Sequence, residues 1–326
     1  MNIAIDAMGG DNAPYEVVKG AFLAANDHPD VQFTLIGDQT AIERCSSEFE
    51  RLSNINIVHT DCVITMEDDP MIIMKEKKDS SMAIGLKMLK EGSVDGFISA
   101  GSTGALHTAS TLVVRKIKGI RRSAIATIIP FETPILMLDS GANPTVTADI
   151  LEQWAVLGSV YMNKTFNIEK VRVGLLNNGT EEHKGTPEVQ EAYQKLKNNK
   201  AINFVGNIES KELPNCPCDV LVTDGFTGNI ALKLLEGMAK FFFGSLKKVF
   251  TTNSRTKLSY LLTKKELKSL KNSFDASKYG GAPLLGVAKP VIKAHGSSNS
   301  IDIKNAIRQT IEYADSKIIE KVIEAL

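Results

Sequence analysis

The feature that most constrains the fold is an alternation of short apolar runs with helical patterns along the chain. The strand-like runs are "NIAID", "VQFTLIG", "INIVHT", "VDGFISA", "SAIATIIP", "PILMLD", "KVRVGLLN", "INFVGNI", "CDVLVTD" and "KPVIKAHG". Helical patterns lie between most of them, for example at residues 14–26, 80–91 and 148–161. Because runs such as "VLVTD" are apolar on both faces, helices must cover both sides of the sheet. The pattern predicts a three-layer α/β/α fold with a largely parallel sheet.

No linker rich in proline, glycine or serine divides the chain, and 326 residues can bury one large core or two modest ones. We therefore predict a single α/β domain over residues 1–326, with two subdomains that share a cleft as the alternative. A helical tip is expected at about residues 250–278.

Composition excludes several classes of protein. Lysine plus arginine and aspartate plus glutamate both number 38, so we expect no nucleic-acid partner. The start "MNIAIDAMGGD" lacks the basic and apolar segments of a signal peptide, and no apolar run reaches the ~18 residues of a membrane span, so a cytoplasmic protein is expected. The four cysteines lack zinc spacing, so we expect reduced thiols and no metal site.

A basic segment stands out near the predicted tip, where "SRTKLSYLLTKKELKSLK" sets leucines among lysines. One interpretation is a solvated helical hairpin. The other is a tip that docks on an acidic partner or an anionic membrane surface. The candidate contact residues are Arg255, Lys257, Leu258, Leu261, Leu262, Lys264 and Lys265.

Six predicted strands lead into polar turns that contain glycine: "AMGGDNAP", "GSTGA", "SGANPT", "NGTEEHKGTP", "GFTGN" and "GSSNS". Ligands of open α/β sheets bind beyond the carboxyl ends of the strands. Two turns, at residues 101–104 and 225–228, share the pattern G-x-T-G between a strand and a helix. Glycines admit close backbone approach and helix N-termini offer free N–H groups, so these turns predict a site for phosphate or another anion.

The chain lacks G-x-G-x-x-G, the nucleotide P-loop and the G-x-S-x-G nucleophile motif. A dinucleotide site, a nucleotide site and a covalent serine mechanism are therefore unsupported. The polar residues at the strand ends suit the binding of an anion and the stabilisation of an oxyanion. They are Asp6, Asp139, Asn143, Lys184, Asp224, Asn229 and His295.

Eight segments resemble, in order, the successive motifs of the PlsX family, the bacterial acyl-acyl-carrier-protein:phosphate acyltransferases. They are "DAMGGDNAP", "SAGSTGA", "LDSGAN", "NNGTEEHKG", "FVGNIE", "TDGFTGNIALK", "YGGAPLLG" and "IKAHGSS". The resemblance implies a fold similar to isocitrate/isopropylmalate dehydrogenases and phosphate acetyltransferases. The chain departs from the family pattern at Ser102, where we expect Asn, at Asn178 (Ile) and at Ser123 (Pro).

The resemblance implies transfer of a long-chain fatty acyl group from acyl carrier protein to inorganic phosphate. The product, acyl phosphate, would pass to a glycerol-3-phosphate acyltransferase in phospholipid (phosphatidic acid) biosynthesis. A homodimer with peripheral membrane association and no metal or nucleotide cofactor is also implied. The alternatives are a phosphate acetyltransferase-like enzyme that uses acyl-CoA, and a non-enzymatic scaffold recruited to membranes.

Position within the family motifs implies that Lys184 and Asn229 are catalytic, as donors to an oxyanion. Contacts to phosphate or other substrate atoms are expected from Gly9, Gly10, Ser102, Thr103, Gly104, Asn143, Thr227, Gly228 and His295. Carboxylates would repel phosphate, so we expect a second set to bond backbone N–H groups and shape the turns. This set is Asp6, Asp139 and Asp224.

Two expectations remain open between function and packing. His295 either donates to phosphate or packs as a buried histidine. Leu284, Leu285 and the helix at residues 241–243 either line an apolar groove for the acyl chain or pack in the core.

Overall fold

The computed structural model describes residues 1–50 and 52–325. Its strands are β1 (Asn2–Asp6), β2 (Gln32–Gly37), β3 (Ile55–His59), β4 (Gly96–Ser99), β5 (Ala124–Ile129), β6 (Ile135–Leu138), β7 (Arg172–Asn177), β8 (Asn203–Glu209), β9 (Val220–Val222), β10 (Ala282–Leu285) and β11 (Val291–Lys293). Its α-helices are α1 (Tyr15–Asp27), α2 (Gln39–Ser46), α3 (Ser81–Glu91), α4 (Thr103–Ala109), α5 (Ala148–Phe166), α6 (Pro187–Asn198), α7 (Gly225–Thr251), α8 (Ser254–Ser273), α9 (Ser300–Asp315) and α10 (Ile318–Ala325).

The chain forms two compact units. Unit 1 comprises Met1–Thr127, Val156–Lys170 and Ser277–Leu326, and unit 2 comprises Ile128–Ala155 and Val171–Ala276. Strand β5 and helix α5 have residues in both.

The sheet of unit 1 has the order β3-β2-β1-β4-β11-β10-β5. Strands β3, β2, β1, β4 and β11 are parallel, whereas β10 is antiparallel to both of its neighbours. Strand β10 was not predicted, because its sequence "APLL" contains a proline and follows two glycines, which indicate a turn. Leu284 and Leu285 lie in this strand and are buried, so their interpretation as core residues is correct and the acyl groove at these leucines is not supported.

In unit 1, glycines allow α1 to pack closely against α9 and α3 to pack closely against β4. A Cβ on Gly20 of α1 would lie 2.6 Å from the Cβ of Ile303 in α9. A Cβ on Gly85 of α3 would lie 2.1 Å from the ring of Phe97 in β4. Protein interiors are close-packed, so neither position has room for a side chain.

The sheet of unit 2 has the order β6-β9-β7-β8, and all its pairs are parallel. Its core comprises Ile129, Ile135, Met137, Leu176, Ile208, Leu213, Cys218 and Leu221. Residues Ala231, Leu232 and Leu235 of α7 pack against this core. The predicted α/β class with a largely parallel sheet is confirmed.

Helices α7 and α8 form a hairpin in unit 2. Asn253 caps α8, and the rings of Phe250 in α7 and Tyr260 in α8 pair with centroids 5.8 Å apart. Phe274, which directly follows α8, pairs with Phe243 of α7 at 5.7 Å. No residue of α8 is buried. Within residues 1–50 and 52–325, no helix combines the length and the apolar character needed to cross a membrane.

Candidate functional site

Three of the predicted glycine turns meet in unit 1. Strands β1, β4 and β11 are neighbours and parallel, so their carboxyl ends lie at one edge of the sheet. The backbone N–H of Asp11 donates to the carbonyl of Gly296 at 2.8 Å. A Cβ on Gly9 would lie 2.7 Å from the backbone nitrogen of Gly101. The turns after β1, β4 and β11 are therefore in direct contact.

A buried polar cluster lies beneath these turns. We call Asp6, Ser81, Ser99 and Lys293 the Asp6 cluster. The hydroxyls of Ser81 and Ser99 each donate to the Asp6 carboxylate at 2.6 Å, and the N–H of Met8 donates at 3.3 Å. Burial raises the pKa of Asp6, and the hydrogen bonds from both serines oppose that rise.

Lys293 is a residue that the sequence prediction missed. It is 8% exposed, and its ammonium donates to the carbonyls of Ala100, at 3.1 Å, and Ala294. Burial lowers its pKa to about 8, and the negative charges of Asp6 and Asp11 oppose this effect. The available signal was a lysine at the end of the apolar run "PVIK", in a strand whose two faces are both covered.

The turn after β4 begins a helix of seven residues, α4. Ser102 caps this helix, because its hydroxyl accepts from the N–H of Ala105 at 3.4 Å. Serine and asparagine are both favoured at this position, which accounts for Ser102 where the family pattern has Asn. Thr103 and Gly104 are exposed.

His295 is exposed, so its interpretation as a buried packing residue is wrong. The backbone N–H of Ser297 donates to its Nδ1 at 3.2 Å, and the Ser297 hydroxyl lies 2.9 Å from the same atom. An accepting Nδ1 leaves Nε2 to carry the proton of the neutral ring. His295 can therefore act as a donor to an anion.

Unit 2 has a second polar cluster, formed by Asp139, Asn143, Gly225, Gly228 and Asn229, which we call the Asp139 cluster; all of its members except Asn229 are buried. The Asp139 carboxylate accepts from the backbone nitrogen of Asn143 at 2.6 Å and from its side-chain amide at 2.9 Å. It also accepts from the N–H groups of Gly141 and Ala142. The turns after β6 and β9 are connected, because the N–H of Gly225 donates to the Asn143 carbonyl at 2.8 Å.

The start of α7, from its capping residue onwards, carries four predicted site residues: Asp224, Thr227, Gly228 and Asn229. Asp224 caps the helix and accepts from both the N–H of Thr227, at 2.8 Å, and its hydroxyl, at 2.7 Å. Gly228 lies against the backbone of Asp139, where a Cβ would be 2.0 Å from the carbonyl oxygen. The exposed Asn229 donates weakly to the carbonyl of Ser140, at 3.4 Å.

Lys184 lies on the turn that follows β7. Two side-chain amides donate hydrogen bonds to the backbone of this turn. Asn177 donates to the Lys184 carbonyl at 3.1 Å, and Asn207 donates to the Glu181 carbonyl at 2.9 Å. The Lys184 side chain is exposed and, among the residues that the structure describes, forms no ion pair. Strand β7 is the neighbour of β9, so the turns that carry Lys184 and Asn229 leave the same edge of the sheet.

The buried thiol of Cys218 in unit 2 is not a candidate nucleophile. Burial raises the pKa of the Cys218 thiol to about 12, which keeps it protonated at neutral pH. The site therefore offers a free cation, an amide donor and glycine turns. This arrangement suits an anionic substrate.

Comparisons with known proteins identify the family. A family model described as "Fatty acid synthesis protein" matches residues 1–321. The phosphate acyltransferase of Pediococcus pentosaceus is 45% identical over 329 residues, covering 99% of this chain and 94% of that protein. The phosphate acyltransferase of Alkaliphilus oremlandii is 45% identical over 328 residues, covering 100% of this chain and 97% of that protein.

The chain belongs to the fatty acid synthesis protein family. This finding confirms the resemblance to PlsX that the eight motifs indicated. The family member described here is an acyltransferase with phosphate as the acyl acceptor.

Solved structures support the fold of this family member. A phosphotransacetylase from Streptococcus pyogenes matches with a TM-score of 0.64 at 18% identity, covering 96% of this chain and 94% of that one. The EutD phosphotransacetylase from Staphylococcus aureus matches with a TM-score of 0.61 at 18% identity and the same coverage. The predicted likeness to the phosphate acetyltransferase fold is confirmed.

Proposed function

We propose that the chain transfers a long-chain fatty acyl group from acyl carrier protein to inorganic phosphate and releases acyl phosphate. The observation that carries this proposal is Lys184, an exposed cation at the same sheet edge of unit 2 as Asn229. A cation and an amide donor at one edge can stabilise the negative charge that develops in acyl transfer.

The reaction needs an anion to be positioned and a new negative charge to be stabilised. A phosphate oxygen attacks the thioester carbonyl carbon, and the carbonyl oxygen becomes an oxyanion. Collapse of this intermediate breaks the C–S bond, and the released thiolate takes a proton from water. We assign the oxyanion to Lys184 and Asn229.

The glycine turns supply the contacts to phosphate and to the acyl donor. In unit 1 we assign these contacts to Gly9, Gly10, Ser102, Thr103, Gly104 and His295. In unit 2 we assign them to Asn143, Thr227 and Gly228. Asp6, Asp139 and Asp224 shape the turns, since each carboxylate accepts hydrogen bonds from its own turn.

One assay tests the proposal against its alternatives. The protein is incubated with phosphate and palmitoyl carrier protein, and acyl phosphate is trapped with hydroxylamine. We expect acyl hydroxamate that depends on phosphate. Product only with palmitoyl-CoA would favour a phosphate acetyltransferase-like enzyme, and no product with either donor would favour a non-enzymatic scaffold.

The basic side chains of α8 support docking of an acidic carrier protein. Arg255, Lys257, Lys264 and Lys265 are all exposed. Reversing charge with Lys264→Glu and Lys265→Glu should raise KM for palmitoyl carrier protein and leave KM for palmitoyl-CoA unchanged. An equal effect on both donors would contradict carrier docking at this helix.

An exposed apolar face on α8 supports peripheral association with an anionic membrane. Leu258, Leu261 and Leu262 are 59%, 68% and 77% exposed, and their spacing places them on one side of the helix. Replacing all three with Glu should abolish sedimentation with anionic liposomes. The variant Leu112→Glu, at an exposed leucine of unit 1, serves as the control. Unchanged sedimentation of the triple variant would end this part of the proposal.

A homodimer is supported by the apolar stripe along α7. Phe226, Ile230, Leu234 and Met238 recur every fourth residue, and each is more than half exposed. A second copy of the chain would cover this stripe, so Leu234→Glu should convert a dimer to a monomer in light scattering.

The acyl phosphate that the chain releases would be used by a glycerol-3-phosphate acyltransferase in phospholipid biosynthesis.

A further inference from the structure

The peptide group between Ala100 and Gly101 is held at both of its polar ends by buried side chains. Its carbonyl accepts from the Lys293 ammonium at 3.1 Å. Its N–H donates to the hydroxyl oxygen of Ser99 at 3.0 Å. Ser99 in turn donates its own proton to the carboxylate of Asp6 at 2.6 Å.

We call Asp6, Ser99 and Lys293 the clamp of this peptide. They come from three strands, β1, β4 and β11 respectively. Asp6 is 2% exposed, Ser99 1% and Lys293 8%. Burying charged groups is costly even when they are hydrogen-bonded, and apolar residues of similar volume are often as stable. The clamp therefore points to a requirement other than stability.

The clamped peptide leads directly into the G-S-T-G turn. The Gly101 N–H is already engaged by Ser99, so it is not available to a ligand, and ligand contacts fall to the residues that follow. Gly101 has no Cβ to restrict its backbone, and rotation of the preceding peptide would redirect the whole turn.

We propose that Lys293 and Ser99 are positioning residues for phosphate, which fix both ends of the Ala100–Gly101 peptide and so set the direction of the G-S-T-G turn. This inference rests on the proposed function, which assigns phosphate contacts to the turn at residues 102–104. The two serines bonded to Asp6 provide a matched test.

Ser81 and Ser99 are both 1% exposed and both donate to Asp6 at 2.6 Å, but only Ser99 accepts from Gly101. Loss of either hydrogen bond should lower Tm by a similar amount. Ser99→Ala should raise KM for phosphate about tenfold, which corresponds to about 1.4 kcal/mol, and leave KM for the acyl donor within about twofold. Ser81→Ala should keep both KM values within about twofold. Equal changes in the KM for phosphate in Ser99→Ala and Ser81→Ala, or an unchanged KM for phosphate in Ser99→Ala, would overturn the proposal.

A second test removes the charge at Lys293 and measures phosphate binding without turnover. Addition of inorganic phosphate alone should raise the Tm of the wild-type protein, and Lys293→Met should lose this rise. The control Lys304→Met, which breaks an ion pair with Asp27 in the same unit, should retain it.

Failure of the proposed function and failure of the positioning role can be told apart. A wild-type protein that makes no acyl phosphate refutes the proposed function, whereas the thermal shift still decides the positioning role. Absence of the shift in the wild type, or its persistence in Lys293→Met, overturns that role. Should Lys293→Met not fold, the comparison of Ser99→Ala with Ser81→Ala decides it.

Discussion

The Asp6 cluster of unit 1 and the Asp139 cluster of unit 2 place a buried carboxylate near a G-x-T-G turn by different means. Asp6 is held mainly by side chains, the hydroxyls of Ser81 and Ser99, with Lys293 nearby. Asp139 is held mainly by backbone N–H groups of the turn that follows it. Removal of a side chain should therefore destabilise the Asp6 cluster, whereas addition of an atom should destabilise the Asp139 cluster.

The two G-x-T-G copies also differ in where their helices begin. Helix α4 begins at Thr103, the third residue of its copy, and Ser102 caps it. Helix α7 begins at Gly225, the first residue of its copy, and Asp224 caps it. The same four-residue pattern thus presents different backbone N–H groups in the two units.

The largest effect is expected from Gly228→Ala, which adds a methyl group to the Asp139 cluster. The new Cβ would lie 2.0 Å from the Asp139 carbonyl oxygen. The oxygen is a backbone atom and the Cβ is bonded to one, so the backbone itself would have to shift. We expect a loss of about 3 kcal/mol in the free energy of unfolding, measured by urea denaturation.

Gly237→Ala in the same helix is the matched control, because the added Cβ would have no atom within 4 Å beyond its chain neighbours and the adjacent backbone of the helix itself. There we expect a gain of about 0.5–1 kcal/mol from higher helix propensity. Similar stabilities of the two variants would contradict the close approach at Gly228.

The next effect concerns turnover in unit 2. Lys184→Ala and Asn229→Ala should each lower kcat about 10²-fold, as loss of an oxyanion donor does in other enzymes. Circular dichroism should show an unchanged fold, and Lys200→Ala, at another exposed lysine of unit 2, should keep full activity. A folded Lys184→Ala enzyme with near-native turnover would refute its catalytic assignment.

The side-chain cluster of unit 1 should make stability depend on pH. Burial lowers the pKa of Lys293 from 10.5 to about 8. Between these values the unfolded chain keeps the proton that the folded chain has lost, so stability rises with pH. From about pH 8 to about pH 9 the wild type should gain about 1 kcal/mol relative to Lys293→Met. Parallel pH profiles of the two proteins would show that Lys293 has an ordinary pKa.

The sequence allowed most of the fold to be predicted, because ten of the strands are apolar runs with clear limits. It did not reveal β10, whose glycines and proline favour a turn. It also did not reveal the Asp6 cluster, because Ser81 and Ser99 are 75 and 93 residues from Asp6 along the chain. Local patterns predict which residues end a strand, but not which distant side chains meet a buried carboxylate.

The smallest effect is expected at Ser102, where the chain departs from the family pattern. If its hydroxyl serves only to cap α4, Ser102→Asn should change the free energy of unfolding by less than about 0.5 kcal/mol, whereas Ser102→Ala should cost about 1 kcal/mol. KM for phosphate should stay within about twofold in Ser102→Asn, because the turn would still present its backbone N–H groups to phosphate. A tenfold change in that KM would mean that the Ser102 side chain itself contacts the acceptor, in addition to the contact assigned to His295 in unit 1.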